Sequence, residues 1–532
     1  MDQWRGLLLV VCLSLLSSTS MADDSHAGHN MTLGRVGTVN FEVSCSSAAQ
    51  RAFPHAVALL HSFAYEQALA EFTAIASQDE KCAMAYWGEA MTWWRPLWYP
   101  PDADALRNGS AAIEKAASLE LPTGHEKGYV AALRAFYSDY DKIDYRTRAM
   151  NYRMVMQGLH QRFPKDNEVS AFYGLALLAT ASPTDKTFRD QHEAATILER
   201  VFAEEPDHPG AAHYLIHSFD SPALAKDALL AARAYARIAP DVPHALHMPS
   251  HIFTRLGLWQ DSIDSNVAAE NAARHWAEAK PMPYASDQQL HAMDYLMYAY
   301  LQQDREREAE GVLKEMNTLQ KVQPTGASFY ALAAIPARYA VERSQWTAAV
   351  ALQPNHAGSP ETWAITHWAR ALGAAHTGNF DLARAELKEL EIIRDALQQK
   401  HQGYDWATQV EIQRREAAAW LAHVEKNNDE AVSLMQSAVQ LEDSTEKNPV
   451  TPGAVLPAHE LLADLLMGIH RPRDAFQEYE ASLKTAPHRF HAVQGATRAA
   501  EAAANHEAAH KYRRELLELT RSNQGGVYLA AK

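Results

Sequence analysis

The chain has 532 residues, 47% of them hydrophobic, and a formal net charge of −16. Such an acidic surface repels phosphate backbones, and no basic stripe relieves it, so no nucleic acid is expected as a partner. No segment offers about 18 consecutive apolar residues, so no membrane span is expected, and the dominance of alanine, leucine and glutamate over β-branched alternation indicates an all-α protein.

In chain order, Arg5 precedes an apolar run from Leu7 to Leu16, and Ser20-Met21-Ala22 supplies small residues where a signal peptidase cuts. Residues 1–22 therefore read as a signal peptide cleaved after Ala22, which sends the protein to the periplasm or the outside. Cys12 follows Val10-Val11 inside that run, a setting unlike that of a lipidated cysteine. Residues 23–40 read as a disordered leader, in which His26, His29 and Met31 form a loose cluster of the kind that collects copper. Cys45 and Cys82 are placed in the first helical hairpin, and in an oxidising compartment they are expected to pair. Residues 96–110 read as a proline- and aromatic-bearing loop, and 281–287 as a linker with two prolines.

A helical-hairpin pattern recurs along the rest. A small residue, a large one four positions on and often a closing proline mark the second helix of each unit. The instances are Tyr65/Ala68/Phe72, Ala194/Leu198/Pro206, Ala228/Ala232/Pro240 and Ser262/Asn266. Further along come Ala309, Gly378-Asn379-Phe380 with Ala383 and Leu387, Ala431/Met435/Ala438, Ala475/Tyr479/Pro487 and Ala508/Tyr512. Ala194, Ala228 and Ser262 follow one another at equal intervals, and the interval is the tetratricopeptide period of about 34 residues. The pattern resembles the tetratricopeptide repeat superfamily over nearly the whole mature chain, with poor phase between Trp94 and Ser170. The resemblance implies a right-handed superhelical solenoid, in which the first helix of each unit lines the inner wall. Residues 41–360 would form the N-terminal and central array and 361–532 a C-terminal array.

Two stretches, HPGAAHYLIHSF at 208–219 and VPHALHMPSHIF at 242–253, are copies displaced by that same interval. His213 maps onto His247 and His217 onto His251, and each pair shares a helix face at i, i+4. His244 lies on the same stripe as His247 and His251. If Ala309 anchors the next unit, His291, Asp294 and Tyr298 occupy the corresponding stripe of its first helix. Neighbouring helices stand about 8–10 Å apart, a span that imidazoles and one or two ions can bridge. Pro249 falls inside the second copy and is expected to kink it, which leaves the direction of His251 open.

Neutral imidazole is the commonest metal ligand, and a helical pair presets two ligand directions. Six histidines exceed the needs of one tetrahedral ion, so either two ions bind or some of the six are supporting groups. Ligation by many imidazoles and few carboxylates favours a transition metal; the compartment favours copper, with zinc or iron as alternatives. Asp294 would be an oxygen ligand or a general base. Asp220 and His208 flank the first histidine helix and would either orient an imidazole or cap a helix. His61, in Leu60-His61-Ser62-Phe63, echoes Ile216-His217-Ser218-Phe219. Trp93, Trp94, Trp98 and Tyr99 either wall a pocket or simply pack, and Arg338, Glu342 and Arg343 read as an exposed ion-pair face.

The segments LLHSFAYEQALAEF, CAMAYWGEAM, HYLIHSFD and PHALHMPSHIF are similar to those of exported bacterial tetratricopeptide proteins, a resemblance that implies a shared site but no substrate. Two classes of function follow. One is a metalloprotein with a mono- or dinuclear histidine site on its concave face, a copper oxidoreductase or a zinc hydrolase. The other is a peptide- or protein-binding scaffold, with a small molecule or peptide in the groove. Arrays that clamp a carboxylate need lysine, arginine and asparagine on the inner stripe, where this chain has histidine.

Overall fold

Small residues at a fixed phase let successive helices approach closely, and here they are where the fold is tightest. Ala68, Ala194, Ala228, Ser262, Ala309, Ala431 and Ala475 are all fully buried, as is Ala383 but for 1% of its surface. In the last unit the phase differs by one from the sequence reading: Ala509 is the buried residue and Ala508 is half-buried, because Asn505, like Asn379, lies four positions ahead of the buried alanine.

The computed structural model describes residues 34–97, 100–279, 284–399 and 404–525. The described residues are almost entirely helical, and consecutive helices pack as antiparallel hairpins in a solenoid of tetratricopeptide type. In the centre the inner helices are Asn167–Thr180, Pro209–Phe219, the pair Pro243–His247 and Pro249–Arg255, and Asp287–Gln302, alternating with Arg189–Glu204, Leu229–Ile238, Trp259–Ala279 and Glu306–Thr318. Pro209 and Pro243 occupy first-turn positions, where the missing N–H costs nothing. Pro249 divides the second histidine helix into two pieces, as its ring requires.

Between Trp94 and Ser170 the hairpins continue although the phase is poor, with helices Ala103–Ala117, Gly124–Tyr137 and Tyr145–Arg162. The loop expected over 96–110 is therefore shorter: Asp102 caps a helix by accepting from the backbone N–H of Ala105. Trp94 packs as a core residue, stacked on Phe136 at 4.1 Å, whereas Trp98 and Tyr99 lie outside the described residues. So do the signal segment and the leader as far as position 33. Of the expected linker, 281–283 lie outside the described residues, and Ala285 donates to the Lys321 carbonyl and accepts from the Gln323 N–H, both at 2.9 Å.

Cys45 and Cys82 are bonded. Cys45 lies just ahead of Ser47–His61 and Cys82 caps Ala83–Trp93, so the bond joins the starts of the first and third helices rather than the two arms of one hairpin.

Stacking runs through residue 360 without a break, Pro360–His376 packing on both Gly326–Glu342 and Trp346–Ala351. The C-terminal units also return to the central ones. Trp259 donates to the His488 carbonyl at 2.8 Å. Arg489, fully buried, donates to Glu460, Glu342 and the Tyr298 hydroxyl at 2.6–2.7 Å. Arg338 is also fully buried, and Glu342 joins Arg489, so two members of the exposed ion-pair face read from the sequence belong to a buried network, while half-buried Arg343 pairs with the exposed Glu306. The helical pattern shows which residues share a face but not that a distant unit covers it.

Replacing Arg489 with methionine strands Glu342 and Glu460 in the interior, and a loss of about 3–5 kcal/mol is expected in denaturant unfolding, partly restored by adding Glu460→Gln. The disulfide closes a separation of 37 residues. Loop-closure entropy gives it about 4 kcal/mol. The Cys45→Ala/Cys82→Ala double variant should lose most of that in the same assay.

Candidate metal centre

The two copied helices and their successors bring the six histidines together as two sets of three. His213, His217 and His244 form one, and His247, His251 and His291 the other; in each set one ring nitrogen per residue lies within 4.8 Å of the others. The sets adjoin, with rings of His217 and His251 centred 6.4 Å apart and those of His244 and His247 6.2 Å. All are buried except His217, which is half-buried. The kink at Pro249 leaves His251 in the set, its Nε2 3.0 Å from that of His247.

The logic of the assembly is an i, i+4 pair on one inner helix plus one histidine from the next. His244 and His291 play the same part, since the interval between them equals that between Ser262 and Ala309. In that register Asp294 and Tyr298 are the third-unit equivalents of His247 and His251. Asp294 belongs to neither set: Arg338 donates to its Oδ1 at 3.0 Å, and its buried Oδ2 has no hydrogen-bond partner among the described residues. The series also stops at its other end. Gly210 holds the position of His244 one repeat earlier, and a Cβ there would meet the His61 ring at 2.6 Å.

The far nitrogens decide the chemistry of the near ones. His213 Nδ1 donates to the His61 carbonyl at 2.7 Å, His247 Nδ1 to Asn266 Oδ1 at 2.6 Å and His251 Nδ1 to Asp220 at 3.0 Å. His244 Nδ1 lies 3.3 Å from Gln288 Oε1. Each of these oxygens accepts, so each proton sits on Nδ1 and each Nε2 presents its lone pair inward. Yet His247 and His251 bring Nε2 atoms to 3.0 Å, His213 and His217 to 3.1 Å, and His213 and His244 to 3.2 Å. His217 can donate its Nε2–H to His213, but for His247 with His251 and for His213 with His244 the facing lone pairs repel unless a cation lies between them. A proton is a poor candidate, because burial, reinforced by the neighbouring imidazoles, holds His213, His217, His244, His247 and His291 well below the usual histidine range. The donor set fits a pair of transition-metal ions.

Support comes from residues the sequence did not single out. Burial alone would raise the Asp220 carboxyl, but Lys447 and Arg255, donating to it at 2.8 and 2.9 Å, hold it well below the usual range. Asp220 thus orients His251, as the sequence allowed. Tyr295 Oη lies 3.3 Å from both His251 ring nitrogens and 3.2 Å from the Thr451 carbonyl. The ring of Phe63, a residue held at φ 54°, packs 4.4 Å from His213 and stacks on His244. Lys447 and Thr451 belong to the segment 445–457, which also supplies the Gly453 and Ala454 carbonyls to Arg338. Thr451 is separated from Tyr295 by 156 residues of sequence, and nothing in the composition of this segment points back to the histidines.

A third group, His61, Glu168 and His208, shows the contrast. His208 Nδ1 accepts from the Ala211 N–H, capping the helix, and its Nε2 donates to Glu168 at 3.0 Å. His61 Nε2 lies 2.9 Å from the other Glu168 oxygen and its Nδ1 2.9 Å from the Tyr214 hydroxyl. Against its burial, the two imidazoles hold Glu168 down to about 2. Every donor here meets an acceptor, so this is a closed polar network, and His61 bears on the centre through its backbone carbonyl.

No family model matches the chain, and no curated protein matches it. Among solved structures it is similar to human IFIT1, described as a dimer with PPP-AAAA, at 12% identity and a TM-score of 0.39 over 78% of this chain and 87% of that one. It is also similar to yeast Tom70, at 12% identity and a TM-score of 0.31 over 85% and 88% of the two chains. Both are distant likenesses.

Proposed function

We propose that the protein is an exported metalloenzyme whose two histidine sets each hold one copper ion and which acts as an oxidoreductase using dioxygen. The observation that carries this reading is the approach of Nε2 lone pairs at 3.0 Å between His247 and His251 and 3.2 Å between His213 and His244, with the protons of these four rings held on the far side. Three nitrogen ligands per ion and no carboxylate in either set favour a transition metal over harder ions, and the oxidising compartment favours copper among them. When bound, a copper pair supplies one-electron steps and an affinity for dioxygen. The chain itself keeps the imidazoles neutral, fixes their direction through Asn266, Asp220 and the His61 carbonyl, and excludes water. The disulfide supports export to an oxidising compartment. Burial of the histidines beneath residues 445–457 favours a small substrate over a peptide laid along an open groove, and the net charge of −16 favours neither DNA nor RNA. No helix among the described residues is long and apolar enough to cross a membrane.

Protein prepared under copper-replete conditions should carry two ions per chain by elemental analysis. His213→Ala and His247→Ala should each lose at least one, and His506→Ala, at an exposed position, none. Parent protein without metal, or equal loss in the His506 control, would sink the proposal. Exposing the reduced copper form to oxygen should produce a new absorption band; a zinc protein would show none.

The metal-free protein should be sensitive to acid in a defined direction. Each of the six histidines of the two sets has a folded pKa below the ordinary 6.5, so below that pH the unfolded chain binds more protons and gains relative stability. Stability is complete above about pH 7 and falls as the pH drops through 6.5, by about 1.4 kcal/mol per pH unit for each histidine that stays neutral in the fold. Unfolding midpoints between about pH 7.5 and 5.5 check this, and a His244→Leu/His291→Leu variant should show a shallower slope.

A further inference from the structure

A cavity of about 250 Å3 lies beside the metal centre, walled by Tyr298, Tyr330, Trp368, Tyr404 and Trp406. Its charged groups are unevenly matched. Arg255 and Lys447, at the end nearest the histidines, are engaged with Asp220. Glu446 pairs with Lys186, and Asp443 with His459. Three further carboxyls remain, Glu361, which accepts from the Ser359 hydroxyl, and Glu416 and Glu442. Glu416 is 2% exposed and makes no ion pair with any described cation. Glu442 accepts one backbone N–H, from Ala458 at 2.8 Å, with His459 as the nearest cation. The indole N–H of Trp368, on the same wall and 1% exposed, faces Glu416 without completing a hydrogen bond to any protein atom.

A fold under no other demand would be more stable with apolar side chains in place of two uncompensated carboxyls. Burial raises both, helped at Glu416 by the nearby Glu442 and at Glu442 by Asp443 and Glu460, which take Glu442 to about 7, so near neutrality Glu442 holds part of a negative charge. A hard metal cation needs about six oxygen ligands, which two carboxyls among aromatic rings do not supply. An ammonium group on a hydrocarbon body fits both features: it donates charge-assisted hydrogen bonds to carboxylates, and its positive charge is attracted to the faces of tyrosine and tryptophan rings. The volume sits at the small end of ligand cavities, suiting a compact ligand.

We propose that this cavity is a binding site for a small organic ammonium ion, recognised by Glu416 and Glu442 and enclosed by the tyrosine and tryptophan side chains. The site does not depend on the metal. A ligand in it lies against Arg255 and Lys447, which hold the aspartate that orients His251, so an amine bound here is placed next to the centre.

The test is calorimetric titration of the full-length protein, as purified and after chelation of metal, with benzylammonium, benzyl alcohol and benzoate. Benzylammonium should bind one per chain, at least tenfold more tightly than benzyl alcohol, with and without metal. Glu416→Gln should weaken it more than tenfold while leaving the thermal unfolding midpoint equal or higher, and Trp406→Leu should weaken it with Glu416 intact. The proposal is overturned if no probe binds, if the alcohol binds as well as the ammonium, or if benzoate binds best, which would make Arg255 and Lys447 the recognition groups. Binding of the amine only to metal-loaded protein would also overturn it, pointing to coordination by the metal.

Discussion

The arrangement of the interior turns on one electrostatic constraint: imidazole nitrogens that carry lone pairs face one another at close range in a site too well buried to protonate them. Oxygen acceptors on the outer side of the rings impose this constraint by claiming the protons. A site in which donors and acceptors alternated would be stable as it stood, and the His61–Glu168–His208 network a short distance away is of that kind. The difference between the two is one of hydrogen-bond direction as well as of residue type, and on the proposed reading it suits the six histidines to hold metal.

Holding that set requires rigidity, and a solenoid whose units touch only their neighbours supplies little over long distances. This chain adds contacts between units far apart in sequence. Arg489 and Arg338 are buried cations whose partners come from both halves of the array, and Lys447 reaches Asp220 across 227 residues of sequence. These ion pairs are costly to desolvate, so they contribute less to net stability than to fixing a single arrangement, in which residues 445–457 seal the histidines and form one side of the neighbouring aromatic cavity.

The site also shows how a repeat generates and then ends a function. The same three positions on successive inner helices read Gly210, His213 and His217, then His244, His247 and His251, then His291, Asp294 and Tyr298. Each set of three histidines takes its pair from one unit and its last member from the next, so three units yield two sets. At one end the His61 ring fills the space a side chain at 210 would need, and at the other Arg338 takes up the carboxylate of Asp294.

The sequence by itself determined the helical class, the register of the hairpins and the membership of the histidine stripe, because packing two helices in a repeat requires small residues at fixed spacing and an i, i+4 pair necessarily shares a face. It also marked Cys45 and Cys82 as partners and Asp220 as a supporting group. Tertiary structure alone decided how the six histidines divide, which nitrogen of His213, His244, His247 and His251 carries the proton, and that Arg338 donates to Asp294. The same holds for Lys447, Glu168, Asn266, Tyr295 and the Glu416–Glu442 pair. Their positions depend on contacts between units far apart along the chain, and periodicity within a helix carries information about its own faces but none about what a distant helix or loop brings against them.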